Sequence, residues 1–253
     1  MLKNFLLDLI FPRFCLGCRK ELRVKDASFI CSACFENITL NSGIRCHICG
    51  LRNTRGTCRK CRKKTPLKGL FAAGQYENPI IKEMIHLFKY QSVESLKKPL
   101  AELIIVYITK ELLTNKLTNS VLVPIPLTLR RKMSRGFNQS ELLTKEIGRF
   151  LNCPVINLLK RKKFTSPQAE ISDWQKRKEN ISGAFALKKN PRILSTTCPQ
   201  NYRFLESIVL EQTYPKIILI DDVSTSGSTL EEAARILKEA GVKEIYGLVI
   251  AKG

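Results

Sequence analysis

Two groups of residues in this chain could do chemistry. The first is the run Ile220-Asp221-Asp222-Val223-Ser224-Thr225-Ser226-Gly227-Ser228-Thr229. Two adjacent acids at the end of an apolar strand can accept hydrogen bonds from neighbouring hydroxyls, a geometry matched to the vicinal diol of a ribose. The loop that follows is built of small residues around Gly227. Its backbone N–H groups and the hydroxyls of Thr225, Ser226, Ser228 and Thr229 can surround a phosphate. A helix starting there adds its positive end, with Ser228 or Thr229 as the expected cap and Glu231 or Glu232 three residues on. A sugar clamp beside a phosphate cradle describes a 5-phosphoribose site. The Mg²⁺-binding strand of a P-loop NTPase also ends in acids, but it needs GxxxxGK[ST], and the chain contains no Gly-Lys dipeptide. A receiver-type phosphoacceptor would carry its acids near the start of its domain, not at the end.

The second group is the cysteines. Eight of the ten form four CxxC pairs: Cys15/Cys18, Cys31/Cys34, Cys46/Cys49 and Cys58/Cys61. Two such pairs across a hairpin-sized loop present four thiolates at the corners of a tetrahedron, which suits Zn²⁺, so two structural zinc ions are expected. Spacing alone allows either sequential or cross-braced pairing. A disulfide scaffold would require an oxidising compartment. Residues 2–11 are apolar but interrupted by Asp8, with no small-residue cleavage site after them. They fall far short of the ~20 residues that span a bilayer. They read as a short amphipathic helix docked on the body, with contact to a membrane surface as the alternative, and the chain reads as cytoplasmic without membrane insertion. His47, inside a CxxC, reads as solvated rather than as a ligand. Cys153 and Cys198 read as buried or incidental thiols.

The surrounding pattern supplies the elements that must position these groups. Residues 70–76 read as a strand, followed by a helix with Ile81, Met84, Ile85 and Phe88 at helical spacing. A second helix is expected over 95–113 and a proline-stopped strand over 121–126. A helix over 139–151 should bury Leu143, Ile147 and Phe150. Strands are expected near 155–159 and, briefly, at 184–187. Residues 190–215 show no clear period and are expected to form a surface excursion. The segment 216–223 opens with a continuous apolar run, the mark of a parallel strand buried on both faces. The helix after it ends at Gly241, and 243–251 is the next strand. This alternation predicts an α/β fold with a doubly wound parallel sheet over 67–253, behind a zinc module at 12–66 and the short helix at 1–11.

Lys and Arg number 43 against 22 Asp and Glu, a formal charge of +21. A field of that sign attracts polyanions, either nucleic acid or polyphosphorylated small molecules. Arg130-Arg131-Lys132, Lys160-Arg161-Lys162-Lys163 and Lys176-Arg177-Lys178 fall in predicted loops on the edge that carries the acidic doublet, with Phe164 and Trp174 interleaved. Cations for phosphates and rings for bases suit single-stranded DNA. The alternative is that Trp174 packs a lid and the cations serve only a small polyphosphate.

The stretch 221–229 resembles the signature of type I phosphoribosyltransferases, which bind 5-phosphoribosyl-1-pyrophosphate (PRPP). More of the chain resembles the ComF competence family, in which a double zinc ribbon precedes such a domain. The matching stretches are the CxxC array, Ile85-His86-Leu87-Phe88-Lys89-Tyr90, Pro124-Ile125-Pro126-Leu127, Arg135-Gly136-Phe137-Asn138-Gln139, Pro167-Gln168-Ala169 with Arg177 and Asn180, and Gly183-Ala184-Phe185. The resemblance implies that Asp221 and Asp222 hold the ribose at the catalytic centre and that Thr225, Ser226, Gly227, Ser228 and Thr229 hold the 5′-phosphate. It implies a pyrophosphate loop after Pro124 and Ile125, with Arg130 or Arg131 nearby, and Mg²⁺ accompanying PRPP. Arg135, Asn138, Gln139, Gln168, Trp174, Arg177 and Asn180 would border the site as a mobile hood, facing an acceptor or DNA.

Three functions follow from the resemblance and the residues together. One is handling of single-stranded DNA during natural transformation, with a PRPP-competent pocket. Another is phosphoribosyl transfer to an unidentified acceptor. Purine-salvage relatives carry an Asp where this chain has Thr225, so an acceptor that must lose a proton fits poorly. The third is an adaptor whose ribbons dock a DNA-translocating ATPase.

Overall fold

The computed structural model describes residues 14–22, 29–52, 56–117, 119–163, 173–195 and 216–253. The expected helix at 1–11, Phe164, Gln168 and Cys198 lie outside them, as does the side chain of Trp174.

Six strands form one sheet: β1 (Gly69–Gln75), β2 (Val121–Pro124), β3 (Val155–Arg161), β4 (Phe185–Ser195), β5 (Lys216–Ser224) and β6 (Glu244–Lys252). Their order is β1-β6-β5-β2-β3-β4, parallel throughout except for the antiparallel β3–β4 pair. The mixed α/β architecture is as expected, but one element differs. β4 is not a brief strand at 184–187. It runs for 11 residues and takes 190–195 into the sheet edge. Register shifts between Val155 and Ile156 and between Asn157 and Leu159 interrupt the pairing, and such bulges erase the alternation by which an edge strand is recognised. The edge position also tolerates Pro191.

Eight helices are described: α1 (Ser32–Glu36), α2 (Pro79–Tyr90), α3 (Lys97–Lys110), α4 (Thr114–Leu117), α5 (Leu129–Arg135), α6 (Gln139–Leu151), α7 (Trp174–Ile181) and α8 (Ser228–Glu239). α2 begins where Asn78 Oδ1 accepts from the N–H groups of Ile80 and Ile81 at 3.0 and 3.1 Å, with Pro79 in its first turn. The continuous apolar run of β5 divides between two cores. Ile218 and Ile220 join Phe88, Tyr107 and Leu143 of α2, α3 and α6 on one face. Ile217 and Leu219 join Leu230 and Leu237 of α8 on the other. Phe150 departs from expectation at 45% exposed, because Leu151, four residues after Ile147, takes the inward position.

β1 is an edge strand, and the cysteine-rich region covers it. Arg45 and Leu70 exchange both backbone hydrogen bonds at 2.9 Å. Asn41 N–H donates to the Ala73 carbonyl at 2.7 Å, and its Nδ2 donates to the carbonyls of Ala72 and Gly74 at 2.9 and 2.8 Å. Thr57 N–H donates to Lys68 at 2.6 Å. Unpaired strand edges invite foreign chains, so this cover completes the sheet. Asn41 is buried, and Asn41→Ala leaves two β1 carbonyls short of a donor. The expected loss is about 1–3 kcal/mol in urea unfolding, and an unchanged midpoint would show that the cover contributes little.

Candidate functional site

The sheet order creates the site. From β2 the chain moves outward to β3, and from β5 it moves the opposite way to β6. In an open α/β sheet the crevice at such a reversal, beyond the carboxyl ends of the strands, is where ligands bind. The two strand ends are joined by Ile125 N–H donating to the Ile220 carbonyl at 3.0 Å. Pro124 and Ile125 are buried on one side of the crevice, and Asp221 and Asp222 stand on the other.

Each carboxylate has a partner. Lys89, in the last turn of α2, places Nζ 2.8 Å from Asp222 Oδ1. Ser140, in the first turn of α6, donates Oγ–H to Asp221 Oδ1 at 2.9 Å, and the Asp222 N–H donates to the same oxygen at 2.9 Å. Burial and the neighbouring Asp222 charge push Asp221 up to about 7, against the pull of Lys89 and Ser140. Lys89 is raised despite its burial, because Asp222 and Asp221 favour its charge. Lys89 entered the sequence reading only as part of a matching stretch, and Ser140 not at all. Nothing local marks either, since both reach the doublet through tertiary contact.

The turn after β5 borders a small, partly open cavity of about 40 Å³ lined by Asp221 and residues 223–230. Thr225, Ser226, Gly227, Ser228 and Thr229 all line it. The N–H groups of Thr225, Ser226 and Gly227 take no acceptor among the described residues. The buried Ser224 Oγ also lacks a partner there. These are donors and an oxygen suited to an anion of phosphate size. The cap differs from expectation. Gly227, at φ +79°, is the N-cap of α8, and Ser228 lies inside the helix with its Oγ 2.8 Å from Ser226 Oγ. A left-handed cap needs a residue without Cβ.

The wall behind Gly227 is His47, which corrects the expectation that this side chain is solvated. It is only 4% exposed. A Cβ on Gly227 would meet His47 Cδ2 at 3.2 Å. His47 Nε2 lies 3.2 Å from Thr65 Oγ1, and burial, with Lys252 nearby, pushes its pKa down to about 4. The imidazole is therefore neutral at physiological pH. Lys252 Nζ donates to the Thr225 carbonyl, and Gly253 N–H donates to Ser224 at 3.1 Å. The second cysteine cluster and the chain end thus hold the turn from outside.

On the β2 side, Thr128 caps α5 by accepting from Arg131 N–H at 3.3 Å. Arg130 is exposed and Arg131 half-buried. Arg161, expected in a loop, instead ends β3. Its guanidinium lies 5.3 Å from the Phe185 ring centroid, and burial with the nearby Arg131 charge brings it down to about 10, opposed by Asp221. Arg161 thus lies within electrostatic reach of both Arg131 and Asp221. Asn138 and Gln139 are buried and serve the backbone. Asn138 Nδ2 donates to Ile125 at 3.1 Å while its Oδ1 caps α6, and Gln139 Nε2 donates to Phe88 at 3.2 Å. Arg135 donates to Gln139 Oε1 at 3.1 Å on the rim. Arg177 and Asn180 are half-buried on α7, whose end joins α8 through Gly183 N–H and Glu232 Oε1 at 2.9 Å.

The cysteines gather sequentially into two clusters, Cys15/Cys18/Cys31/Cys34 and Cys46/Cys49/Cys58/Cys61, with the four sulfurs of each within 4.8 Å of one another. Measured sulfur separations are 3.6, 3.8 and 3.7 Å for Cys15–Cys31, Cys18–Cys31 and Cys49–Cys58. A tetrahedron with ~2.3 Å zinc–sulfur arms has edges of ~3.8 Å, so the residues fit structural zinc. Burial opposes ionisation of Cys15, but the N–H groups of Cys31, Cys18 and Gly17 outweigh it and bring the thiol down to about 6. Hydrogen bonding to Cys31 and desolvation hold Cys34 up at about 12. One thiolate is ready in the cluster, and a cation would displace the remaining protons.

Two outcomes follow. Purified protein should release two zinc ions per chain on thiol titration, and Cys46→Ser should lose one; a single ion in wild type would contradict the geometry. The second concerns Asp221. An acid with a folded pKa near 7, against an ordinary 3.8, takes up protons on folding between those values. The associated stability is full below pH about 4 and is lost as pH rises through 7. Asp221→Asn should therefore raise the melting temperature at pH 8 by a few degrees and leave it unchanged at pH 4. Equal shifts at both pH values would refute this assignment.

Comparison with known proteins agrees with this architecture. Residues 6–62 match the double zinc ribbon domain, and residues 143–252 match the phosphoribosyl transferase domain. The chain is 30% identical to competence protein F of Haemophilus influenzae, over 94% of this chain and 96% of that protein. It is 28% identical to the DNA utilization protein YhgH of Escherichia coli, covering 94% and 96%. It is 28% identical to competence protein ComFC of Bacillus subtilis, covering 86% and 81%. With both domains in this order and similarity running nearly end to end, the chain belongs to the ComF competence family, a double zinc ribbon joined to a phosphoribosyltransferase-type domain.

Proposed function

We propose that this protein binds PRPP at the β5–α8 turn and handles single-stranded DNA in competence, in the cytoplasm, where thiols stay reduced for zinc. The observation that carries the first part is the acidic doublet beside a turn with unengaged N–H groups, at the reversal point of the sheet. Asp221 and Asp222 take the ribose hydroxyls, the turn from Thr225 to Thr229 takes the 5′-phosphate, and Arg131 and Arg161 face the pyrophosphate. Among the described residues, only the two cysteine clusters bring three or more ligand groups to metal distance. Mg²⁺ would therefore enter on PRPP's own oxygens, where it offsets pyrophosphate charge. Support for the second part is the charge of +21 and relatives named for competence and DNA utilization.

A second reading, phosphoribosyl transfer, is favoured by one observation. Arg161 lies within electrostatic reach of Asp221 and of Arg131, and charge placed at a leaving group is usually the largest single contribution to such catalysis. The C1–O bond to pyrophosphate would break as C1 bonds to an acceptor held under the hood. PRPP-dependent pyrophosphate release, abolished in Asp221→Asn/Asp222→Asn, distinguishes transfer from binding alone. Docking of a DNA-translocating ATPase would fall to the exposed Ile48 and Leu51 on the second ribbon.

Calorimetry with PRPP and Mg²⁺ should show one site per chain. Gly227→Ala should weaken it about tenfold or more, because a Cβ is strained at positive φ and confronts His47. Labelled single strands should bind with a log affinity against log salt slope steeper than about −2, from three or more phosphate contacts. No binding of either ligand at low salt would defeat the proposal.

A further inference from the structure

Tyr90 ends α2 one residue after Lys89, the lysine that pairs with Asp222. The residue is 60% exposed. A lone exposed tyrosine requires no explanation, but this one stands in an array. The His86 ring, one turn back along α2, is 5.1 Å away by centroids. The Arg135 guanidinium lies 5.4 Å from the Tyr90 centroid. Arg135 is held in turn, by Gln139 Oε1 at 3.1 Å and through its carbonyl, which accepts from Ser92 Oγ at 3.0 Å. Gln139 is anchored to the Phe88 carbonyl. Two elements therefore fix the ring's surroundings while leaving the residue open to solvent.

The charges lead away from it along α5. Arg135 ends that helix, and Arg130 and Lys132 on it are exposed. Leu129 and Met133, four residues apart, are each 75% exposed beside them. Seven helical residues span about 10 Å, so ring and cations lie within a few nucleotides of one another. A flat ring backed by a guanidinium accepts another flat π surface, and any base supplies one. The occupant must also be anionic along α5, which a free nucleobase is not.

We propose that Tyr90, braced by Arg135, is a stacking platform for one base of a single-stranded DNA whose phosphates follow α5 at the rim of the crevice. This rests on the DNA-handling reading above and locates its surface. Phe164 and the side chain of Trp174, the aromatics expected to serve DNA, lie outside the described residues.

The test uses the full chain and an oligonucleotide carrying 2-aminopurine, whose fluorescence falls on stacking. Wild type should quench the probe. Tyr90→Ala should bind about tenfold more weakly and restore the fluorescence of the bound strand, while Tyr90→Phe keeps both affinity and quenching. The salt slope should be unchanged in Tyr90→Ala, which removes no cation, and shallower by about 0.7 in Lys132→Ala. Should Tyr90→Ala melt below wild type, Tyr90→Leu against Tyr90→Phe at matched saturation decides by quenching alone. Failure of wild type to bind any strand defeats the DNA-handling reading. Strong wild-type binding with equal quenching in Tyr90→Phe and Tyr90→Leu overturns the platform only. Displacement of the strand by equimolar free adenosine would likewise overturn it, assigning the ring to a small-molecule base.

Discussion

Two adjacent carboxylates at the end of a strand buried on both faces are costly unless the protein meets their charge. The rest of the architecture follows from how this is done. Lys89 comes from the end of α2, and Ser140 from the start of α6. Asn138 both caps α6 and ties it to the β2 end, while Gln139 ties α6 to α2. Moving any one of these helices would leave an acid without its partner. The doublet therefore fixes where α2 and α6 meet, at the rim of the crevice. Because burial and Asp222 push the Asp221 pKa up to about 7, a hydroxyl placed there would meet a group poised between acceptor and donor.

The cysteine-rich region is not an appendage. Its backbone closes the open edge of β1, and its His47 stands behind the turn that would hold a phosphate. Gly227 answers two demands at once: a left-handed cap to start α8 and room for the imidazole. The second cysteine cluster and the β5–α8 turn thus share one wall. A neutral histidine suits that place, since a cation buried there would face Lys252.

The positive surface divides by purpose. Arg161 is largely buried within the field of Asp221, with Arg131 near it. Arg130, Lys132 and Tyr90 remain outward along α5 and the end of α2. One short helix therefore links the crevice to an exposed basic surface, so a ligand proposed for one would adjoin a strand proposed for the other.

Much was legible without coordinates. The CxxC spacing specifies two four-thiolate centres because ligand number and reach are local properties. The run from Ile220 to Thr229 shows strand, acids and small-residue turn in consecutive residues, so its chemistry could be read directly. The parallel sheet followed from unbroken apolar runs. What required tertiary structure was every contact made across the fold. Neither the burial of His47 nor the pairing of Lys89 with Asp222 leaves a periodic mark, since their partners are 180 and 133 positions away in Gly227 and Asp222. The length of β4 was hidden because bulges break the alternation that announces a strand. Local pattern determines which elements form and what they could bind; only packing decides which side chains neutralise, wall and border the place where they meet.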